Sequence, residues 1–459
     1  MTDGDAYDIV ILGGGSGGYA CALRAAELGK RVALIEKAKV GGTCLHCGCI
    51  PTKALLHAAE VADHARDGAA VGVRSSFDGI DMPAVNAYKD KVVNRLWKGL
   101  TGLIASRHID VIEGDGRLES PTRLRVGDRA VDGAQVVLAT GSAPRSLPGL
   151  QIDGERVVSS DHALELDRVP ASVVILGGGV IGVEFASVWR SFGAEVTIVE
   201  MLPHLLPAEE ESSSKLLERA FRRRGIGTRL GTRFEGVKNT DSGVTVTLAG
   251  GETIDAELLL VAIGRGPVSA GLGYEEAGVT VDRGFVLVDE YCQTAVPSIS
   301  AVGDLTPGLQ LAHVGFAEGI LVAERLAGLP VIPIDYDGVP RVTYSDPEVA
   351  SVGITSAVAA QRGIETVEVT YDLAGNGKSQ ILQTQGAAKV IATAGGGPVL
   401  GVHLVGARVG EQIAEAQLIC NWEALPAEVA QLIHPHPTQS EAIGEAHLAL
   451  AGKPLHFHS

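Results

Sequence analysis

The sequence predicts an α/β fold in which two similar units precede a mixed α+β C-terminal domain. A strand–glycine loop–helix–strand pattern occurs twice with the same internal spacing, and the last part of the chain alternates strand-like runs with a helix. At 459 residues the chain is too long for one compact core, so about three domains are expected. The predicted bounds are 1–148 for the first unit with a return at 271–340, 149–270 for the second unit, and 341–459 for the C-terminal domain.

The first unit opens with an apolar strand, Asp8–Leu12, that runs into the glycine loop Gly13–Gly18. A helix is predicted over Ala20–Leu28 and a second strand over Arg31–Ile35. In a Rossmann-like unit, spaced glycines allow a tight turn, a close backbone approach to a pyrophosphate and close helix–strand packing, and an acid after the second strand binds a ribose. The predicted dinucleotide-binding residues here are Gly13, Gly15, Gly18 and Glu36.

The second unit repeats this arrangement. The strand Val173–Leu176 leads into the loop Gly177–Gly182, a helix continues to Phe192, and a strand, Glu195–Val199, ends at Glu200. Gly177 and Glu200 each lie 164 residues after their counterparts in the first unit. A carboxylate there repels a 2′-phosphate, and the six residues that follow it include no Lys or Arg, so NAD(H) is favoured over NADP(H).

Three of the six cysteines, Cys44, Cys47 and Cys49, lie within six residues. Good helix formers follow them, so the thiols are expected near a helix start, where the helix dipole favours thiolate and redox chemistry. In a regular helix, Cys44 and Cys49 lie roughly 8–9 Å apart and cannot pair without a distortion that Gly48 and Pro51 could permit. The C-x-x-C spacing by itself favours a Cys44–Cys47 pair.

The pattern G-G-T-C-x-x-x-x-C-I-P-T-K resembles the redox-active segment of the pyridine nucleotide–disulfide oxidoreductases, most closely that of the dihydrolipoamide dehydrogenases. This resemblance implies a Cys44–Cys49 disulfide. His46 replaces an expected Asn and Cys47 replaces a non-thiol, so Cys44–Cys47 and Cys47–Cys49 pairs remain alternatives. A metal site built from the three cysteines and His46 is disfavoured, because Pro51 and Lys53 have no role in it.

The motif H-P-T-x-S-E near the C-terminus also matches the family. It implies that His436 is the acid–base catalyst of disulfide exchange and that Glu441 orients its ring, which suits a side chain with a pKa near neutrality. His434 is expected to be either a supporting or a structural residue. In the family this base comes from the partner subunit, so the resemblance implies a homodimer with a C-terminal dimerisation domain.

The resemblance extends over essentially the full length and implies two cofactors. FAD is expected on the first glycine loop and NAD on the second. Lys53 and Glu184 are expected to form an ion pair near the flavin and to act in catalysis. The FAD-binding residues expected are Gly13, Gly15, Gly18, Glu36, Thr43, Lys53, Gly116, Thr140, Gly141, Asp304 and Ala312. The NAD-binding residues expected are Gly177, Gly179, Gly182, Glu200 and Gly264.

The implied activity is oxidation of dihydrolipoamide by NAD⁺, with the dithiol carried on a lipoylated acyltransferase or a lipoyl carrier protein. The alternatives are an NADH-dependent reductase of a low-molecular-weight disulfide and, from another class, a non-enzymatic flavin-binding redox sensor. A mercuric reductase is disfavoured, because the C-terminal sequence LHFHS has no vicinal cysteine pair.

Composition and charge exclude further classes. The net charge of −17 argues against nucleic-acid binding. No 18-residue apolar run and no signal-peptide pattern are present, so a soluble, cytoplasmic protein without a membrane partner is expected. No metal site is expected.

Overall fold

The computed structural model describes residues 7–457, in which strands and helices alternate along most of the chain. The strands are β1 Tyr7–Leu12, β2 Val32–Glu36, β3 Asp110–Glu113, β4 Gly116–Ser120, β5 Arg123–Val126, β6 Arg129–Leu138, β7 Ser142–Pro144, β8 Val157–Ser159, β9 Ser172–Leu176, β10 Glu195–Val199, β11 Gly227–Arg229, β12 Phe234–Asn239, β13 Val244–Leu248, β14 Thr253–Ala256, β15 Leu258–Val261, β16 Arg265–Pro267, β17 Val281–Asp282, β18 Phe285–Val286, β19 Ile299–Ala301, β20 Arg341–Thr343, β21 Glu348–Gly353, β22 Thr366–Asp372, β23 Ala387–Thr393 and β24 Val399–Gly406. The helices are α1 Ser16–Glu27, α2 Gly42–His46, α3 Cys49–Asp67, α4 Met82–Ser106, α5 Ser160–Ala163, α6 Val180–Phe192, α7 Glu211–Arg223, α8 Ala312–Leu326, α9 Ser356–Gln361, α10 Gly377–Ile381, α11 Val409–Asn421, α12 Pro426–Val429 and α13 Glu441–Leu450.

The chain divides into two compact units, each assembled from three separate segments. The first unit comprises the chain up to Ala54, Pro83–Arg145 and Gly264–Ile334. The second comprises Leu55–Met82, Ser146–Ile263 and the chain from Asp335 onward. The chain therefore re-enters the first unit at Gly264. The finer domain bounds given above remain predictions.

The first unit is built on a mixed sheet in the order β3-β2-β1-β6-β5-β4, with β19 also paired to β6. Strands β3, β2, β1, β6 and β19 run parallel, and β4, β5 and β6 form an antiparallel meander. Near-continuous apolar strands such as β1 are buried because α1 and α8 pack on one face and the meander covers the other. The carboxyl ends of β1 and β2 therefore converge at the glycine loop.

The second unit contains a parallel sheet in the order β11-β10-β9-β15-β8. Its β9–α6–β10 segment reproduces β1–α1–β2. An antiparallel sheet, β12-β13-β14, follows β11. A further antiparallel sheet, β20-β21-β24-β23-β22, packs against α11 and α13 and is the predicted α+β domain. The predicted fold class is confirmed.

The helix boundaries differ from the prediction in one informative place. Helix α1 begins at Ser16, inside the glycine loop, rather than at Ala20. A glycine-rich start has poor helix propensity, but the close packing of the loop outweighs it. No helix within residues 7–457 has the length and apolar character needed to cross a membrane.

Candidate active site

The first glycine loop is held in shape by steric contacts that only glycine permits. Gly13 has φ +105°, and a Cβ there would lie 2.2 Å from the Ala139 carbonyl oxygen. A Cβ on Gly18 would lie 1.9 Å from the Gly13 oxygen, so this glycine allows α1 to pack on β1. A Cβ on Gly15 would meet nothing within 4 Å, which leaves open space above the middle of the loop.

The second loop has the same geometry. Gly177 has φ +113°, and a Cβ on Gly182 would lie 2.0 Å from the Gly177 oxygen. Gly179 again faces open space. Two loops with tight outer glycines and an open middle glycine are suited to two pyrophosphate groups, each placed near the N-terminus of a long helix.

Each loop also fixes its acidic residue. The Glu36 carboxylate accepts hydrogen bonds from the Gly14 N–H (2.7 Å) and the Ala38 N–H (2.8 Å). Glu200 accepts equivalent bonds from Gly178 (2.6 Å) and Leu202 (2.8 Å). A carboxylate has about four lone-pair sites, so each retains acceptors for ribose hydroxyls. The residues present therefore fit two dinucleotides.

The cysteine segment packs directly on the first loop. The Gly41 N–H donates to the Gly14 oxygen (2.8 Å), and a Cβ on Gly42 would lie 2.6 Å from the Gly15 Cα. The segment forms two helices, because α2 ends at His46 and α3 begins at Cys49. A Cβ on Gly48, in the turn between them, would lie 2.9 Å from the Thr43 oxygen. This turn supplies the distortion that a contact between Cys44 and Cys49 requires.

The side chains of Cys44 and Cys49 hydrogen-bond each other. This contact raises the pKa of the Cys44 thiol, and burial raises it further, whereas Lys53 acts in the opposite direction. For Cys44, the contact with the second thiol and burial oppose the expected bias toward thiolate and outweigh the nearby cation. The contact supports the pair implied by the family resemblance, which remains a prediction.

Asp304 belongs to a polar network beside this pair. The Ser142 hydroxyl donates to Asp304 Oδ2 (2.5 Å) and accepts from Arg265 Nε (2.8 Å). Arg265 Nη2 also donates to the Ser142 carbonyl (2.8 Å) and to Thr43 Oγ1 (3.3 Å). The charge of Asp304 contributes to the raised pKa of Cys44, so the network lies close to the thiols. Neither Arg265 nor Ser142 was among the predicted site residues, although Ser142 follows the apolar strand β6 and Arg265 follows the apolar strand β15.

The remaining predicted FAD residues of the first unit line its tightly packed loops. Gly116 begins β4, where a Cβ would lie 2.4 Å from a methyl carbon of Leu12. The Thr140 hydroxyl donates to the Val268 carbonyl (2.6 Å). Gly141 has φ +67°, and Ala312 is the first residue of α8. Gly264, expected to bind NAD, has φ +105° and faces open space.

A further candidate site residue in the first unit is Tyr19, which lies in the first turn of α1 near the cysteine pair. Its ring lies 5.6 Å, centroid to centroid, from that of Phe316. Burial, together with smaller contributions from the neighbouring Cys44 and Cys49 thiols, raises the pKa of Tyr19 to about 12. The sequence analysis did not predict this residue, although its position directly after the last glycine of the loop was a usable signal.

In the second unit, His436 and Glu441 form the predicted pair. His436 Nδ1 lies 2.8 Å from Glu441 Oε1, and Glu441 Oε2 accepts from the Thr438 N–H (2.8 Å). Partial burial opposes ionisation of Glu441, but the bonds from Thr438 and His436 hold its pKa below the ordinary value. The His436 side chain is 76% exposed, so its ring can reach a reacting group.

A second histidine–glutamate pair lies beside the first. His434 Nε2 lies 2.7 Å from Glu415 Oε1 on α11. The His434 side chain is only 11% exposed, and a Cβ on Gly444 would lie 2.6 Å from its Nδ1. The hydrogen bond with Glu415 raises the pKa of His434 although burial opposes it. Two roles were expected for His434, supporting or structural, and Glu415 was not among the predicted site residues.

Glu184 is buried on α6, where its Oε1 accepts a hydrogen bond from the Tyr344 N–H (2.9 Å). Its pairing with Lys53 remains a prediction. Among residues 7–457, no group of three or more His, Cys, Asp or Glu side chains is arranged to hold a metal ion.

Comparison with known proteins identifies the family. The model of the pyridine nucleotide-disulphide oxidoreductases matches residues 7–319, and the model of their dimerisation domain matches residues 339–447, which supports a homodimer. A dihydrolipoyl dehydrogenase of Bacillus subtilis is 42% identical over 98% of this chain and 99% of its own length. The mitochondrial dihydrolipoyl dehydrogenase of Pisum sativum is 39% identical over 99% of this chain and 93% of its own length.

A solved structure is similar over nearly the whole chain. The crystal structure of LpdA from Mycobacterium tuberculosis superposes with a TM-score of 0.90 at 29% identity, covering 96% of this chain and 99% of that one. The two dinucleotide loops and the matched family models lead to one conclusion. The chain belongs to the pyridine nucleotide-disulphide oxidoreductases, and its cofactors are FAD and NAD.

Proposed function

We propose that this enzyme oxidises dihydrolipoamide, with NAD⁺ as the final electron acceptor. The observation that carries the proposal is the contact between Cys44 and Cys49 in a segment packed on the first glycine loop. Relatives named dihydrolipoyl dehydrogenase, 37–42% identical over nearly the full length, support the substrate. Glu200, which disfavours a 2′-phosphate, supports NAD⁺ rather than NADP⁺.

The first half-reaction takes place at the Cys44–Cys49 pair in its disulfide form. One substrate thiolate attacks Cys44 Sγ, which forms a mixed disulfide and releases the Cys49 thiolate. The second substrate thiol then displaces Cys44, so the substrate leaves as a cyclic disulfide and both cysteines are reduced. Lys53 favours the anionic thiolates at this stage. FAD and NAD⁺, when bound at the two glycine loops, supply the hydride-transfer chemistry that carries the electrons onward.

His436 is the proposed base of this half-reaction. It takes the proton from the attacking thiol and returns it to a leaving one, and ionised Glu441 stabilises the imidazolium form. Because His436 is largely exposed in the single chain, we propose that it completes the site in the homodimer.

The proposed partner is a lipoylated acyltransferase or a lipoyl carrier protein. The relatives named dihydrolipoyl dehydrogenase support a dihydrolipoyl group as the substrate, and such a protein would carry that group. The proposal includes a cytoplasmic location, because thiols stay reduced there. Co-purification with a lipoylated protein, detected with an antibody against lipoyl-lysine, would support this partner. Recovery of the enzyme without any lipoylated protein would count against it.

The test is an anaerobic assay of FAD-loaded protein that follows NAD⁺ reduction by dihydrolipoamide, with NADP⁺ in a parallel reaction. Rapid NADH formation with little NADPH is the expected result. Cys49→Ser should stop turnover, and Cys420→Ser is the matched control because Cys420 lies on α11, outside the redox segment. Flavin reduction by NADH without oxidation of dihydrolipoamide would contradict the proposed substrate and point to a low-molecular-weight disulfide.

A further inference from the structure

The third cysteine of the redox segment, Cys47, has a geometry that the proposed reaction does not use. Its N–H donates to the Thr43 oxygen (3.0 Å), so it closes the last turn of α2. The Cα–Cα distance between residues i and i+3 depends on the two residues between them, here Leu45 and His46, which are both helical. Regular helix geometry places Cys44 and Cys47 about 5–5.5 Å apart at Cα. That distance lies within the range of about 4.4–6.8 Å in which disulfides form.

Contacts of His46 hold this turn in place. His46 Nε2 lies 3.0 Å from the Val40 carbonyl oxygen, and its ring meets the Trp97 ring edge-on at 6.3 Å. The Lys39 ammonium lies 5.0 Å from the centre of the same Trp97 ring. His46, one of the two residues between the cysteines, is therefore anchored by these contacts, which hold the last turn of α2 in place.

The other neighbour of Cys44 is Cys49. The glycine turn at Gly48 brings Cys49 back so that its side chain hydrogen-bonds Cys44. Cys44 thus stands between a thiol in its own helical turn and a thiol at the start of α3. One sulfur atom with two thiols within reach permits two disulfide pairings at one site.

We infer that Cys47 is a third redox-active thiol, which exchanges with the Cys44–Cys49 disulfide to give a Cys44–Cys47 disulfide. The inference rests on the proposed function, because it starts from the Cys44–Cys49 disulfide of that reaction. The Cys47 thiolate attacks Cys44 Sγ, the Cys44–Cys49 bond breaks, and Cys49 leaves as a thiolate that takes up a proton. No net oxidation occurs, so the exchange needs no further oxidant.

The exchange has a functional consequence. In the Cys44–Cys47 form, Cys44 and Cys49 are no longer bonded to each other. The disulfide that accepts electrons from the substrate in the proposed reaction is therefore absent. Attack by a substrate thiol on Cys44 reduces this form as well, and the molecule re-enters the cycle with three thiols. Cys47 therefore keeps a fraction of the oxidised enzyme in a form that turns over more slowly and that the substrate can reduce back to the active thiols.

The test locates the one thiol of the segment that remains in the oxidised, full-length, FAD-loaded enzyme. Samples are quenched in acid, and their free thiols are labelled with light N-ethylmaleimide in denaturant. The disulfides are then reduced, and the thiols they release are labelled with heavy N-ethylmaleimide. Mass spectrometry of the peptides identifies which cysteine carries each label. The expected result is light label on Cys47 in one population and on Cys49 in another. The second population should form faster at higher pH, by about tenfold per pH unit while the thiolate is the minor form.

Two variants make the result decisive. In Cys47→Ser, light label on Cys49 should fall to the background of incomplete oxidation, and an undiminished signal would overturn the inference. In Cys49→Ser, excess oxidised lipoamide should convert Cys44 and Cys47 into an internal disulfide while one lipoamide is reduced per chain. Persistence of two alkylatable thiols in that variant would also overturn it.

Turnover of dihydrolipoamide is measured on the same preparation. Turnover with light label on Cys47 alone, at every pH, would overturn the inference and leave the proposed function intact. Light label on both Cys47 and Cys49 without dihydrolipoamide turnover would contradict the proposed function and leave the thiol exchange intact.

Discussion

His434 and His436 lie two residues apart, and each hydrogen-bonds a glutamate, yet their surroundings differ. His436 meets Glu441 through Nδ1 and is 76% exposed, whereas His434 meets Glu415 through Nε2 and is 11% exposed. The exposed ring meets Glu441 through one nitrogen, whereas the buried ring packs between Glu415 of α11 and Gly444 of α13.

The comparison shows that a histidine–carboxylate pair does not by itself identify a base. Both pairs have nearly equal nitrogen–oxygen distances, so the geometry of the pair does not separate them. The exposed fraction of the side chain separates the two histidines, because a base must reach the atom from which it takes a proton. His434 packs instead against Gly444 near the start of α13, the helix on which Glu441 lies.

The largest expected effect comes from His436→Gln. Loss of the general base should lower kcat for dihydrolipoamide by about 10²–10⁴-fold. The thermal unfolding midpoint should stay near that of the wild type, because the side chain is mostly exposed. Steady-state kinetics and a melting curve measure both quantities. Equal activity of the variant and the wild type would remove His436 from the mechanism.

Glu441→Gln should have a smaller effect on turnover. The neutral amide keeps a hydrogen bond to the ring but no longer stabilises the imidazolium, and a misplaced ring can lower the rate by about 10²-fold. The pH–rate profile should also move, because the protonated ring loses its carboxylate partner. A profile identical to that of the wild type would show that Glu441 does not act through His436.

His434→Gln should change stability more than chemistry. Removing a hydrogen bond to a charged group should lower the free energy of unfolding by about 1–3 kcal/mol. Denaturant melts of the holoenzyme at one fixed protein concentration would measure this, since the dimerisation domain supports a homodimer, whose stability depends on concentration. A fall in kcat as large as that of His436→Gln, with no loss of stability, would contradict the conclusion that His434 acts on stability and His436 on the chemistry.

Gly444→Ala tests the packing behind the same ring. Helix propensity alone predicts that alanine stabilises α13 by about 1 kcal/mol. The new Cβ would lie 2.6 Å from His434 Nδ1, so we expect the opposite sign, a loss of stability. Gly452→Ala is not a suitable control, because Gly452 has positive φ; Ala449→Gly, on the same helix, is the matched comparison. A stabilised Gly444→Ala variant would show that His434 moves freely.

The smallest effect is a pH dependence of stability. The folded chain holds the His434 proton more tightly than the unfolded chain, because the pKa of His434 is raised from 6.5. This contribution is fully present below the unfolded pKa and is lost as the pH rises through the raised folded value. The stability gap between wild type and His434→Gln should therefore narrow as the pH rises through the ordinary value of 6.5 and then through the raised folded pKa. A stability gap that widens as the pH rises would contradict a raised pKa for His434.

Local sterics and spacing determined much of this protein from sequence alone. The two glycine loops and the 164-residue offset predicted both nucleotide units, because only glycine fits where a Cβ would meet a carbonyl at about 2 Å. The family, the cofactors and the fold class followed from short motifs whose meaning depends on neighbouring residues. The contacts between Gly18 and Gly13 and between Gly182 and Gly177 lie within a few residues of chain, and a linear pattern records such contacts.

Tertiary structure alone decided the features that depend on distant residues. The break between α2 and α3 and the raised pKa of Cys44 arise from contacts and burial in the folded segment. The link from Arg265 through Ser142 to Asp304 and the pair of His434 with Glu415 join side chains brought together only by folding. Burial and partner choice are properties of packing, and packing sums contributions from residues far apart in the chain, so no local pattern encodes them.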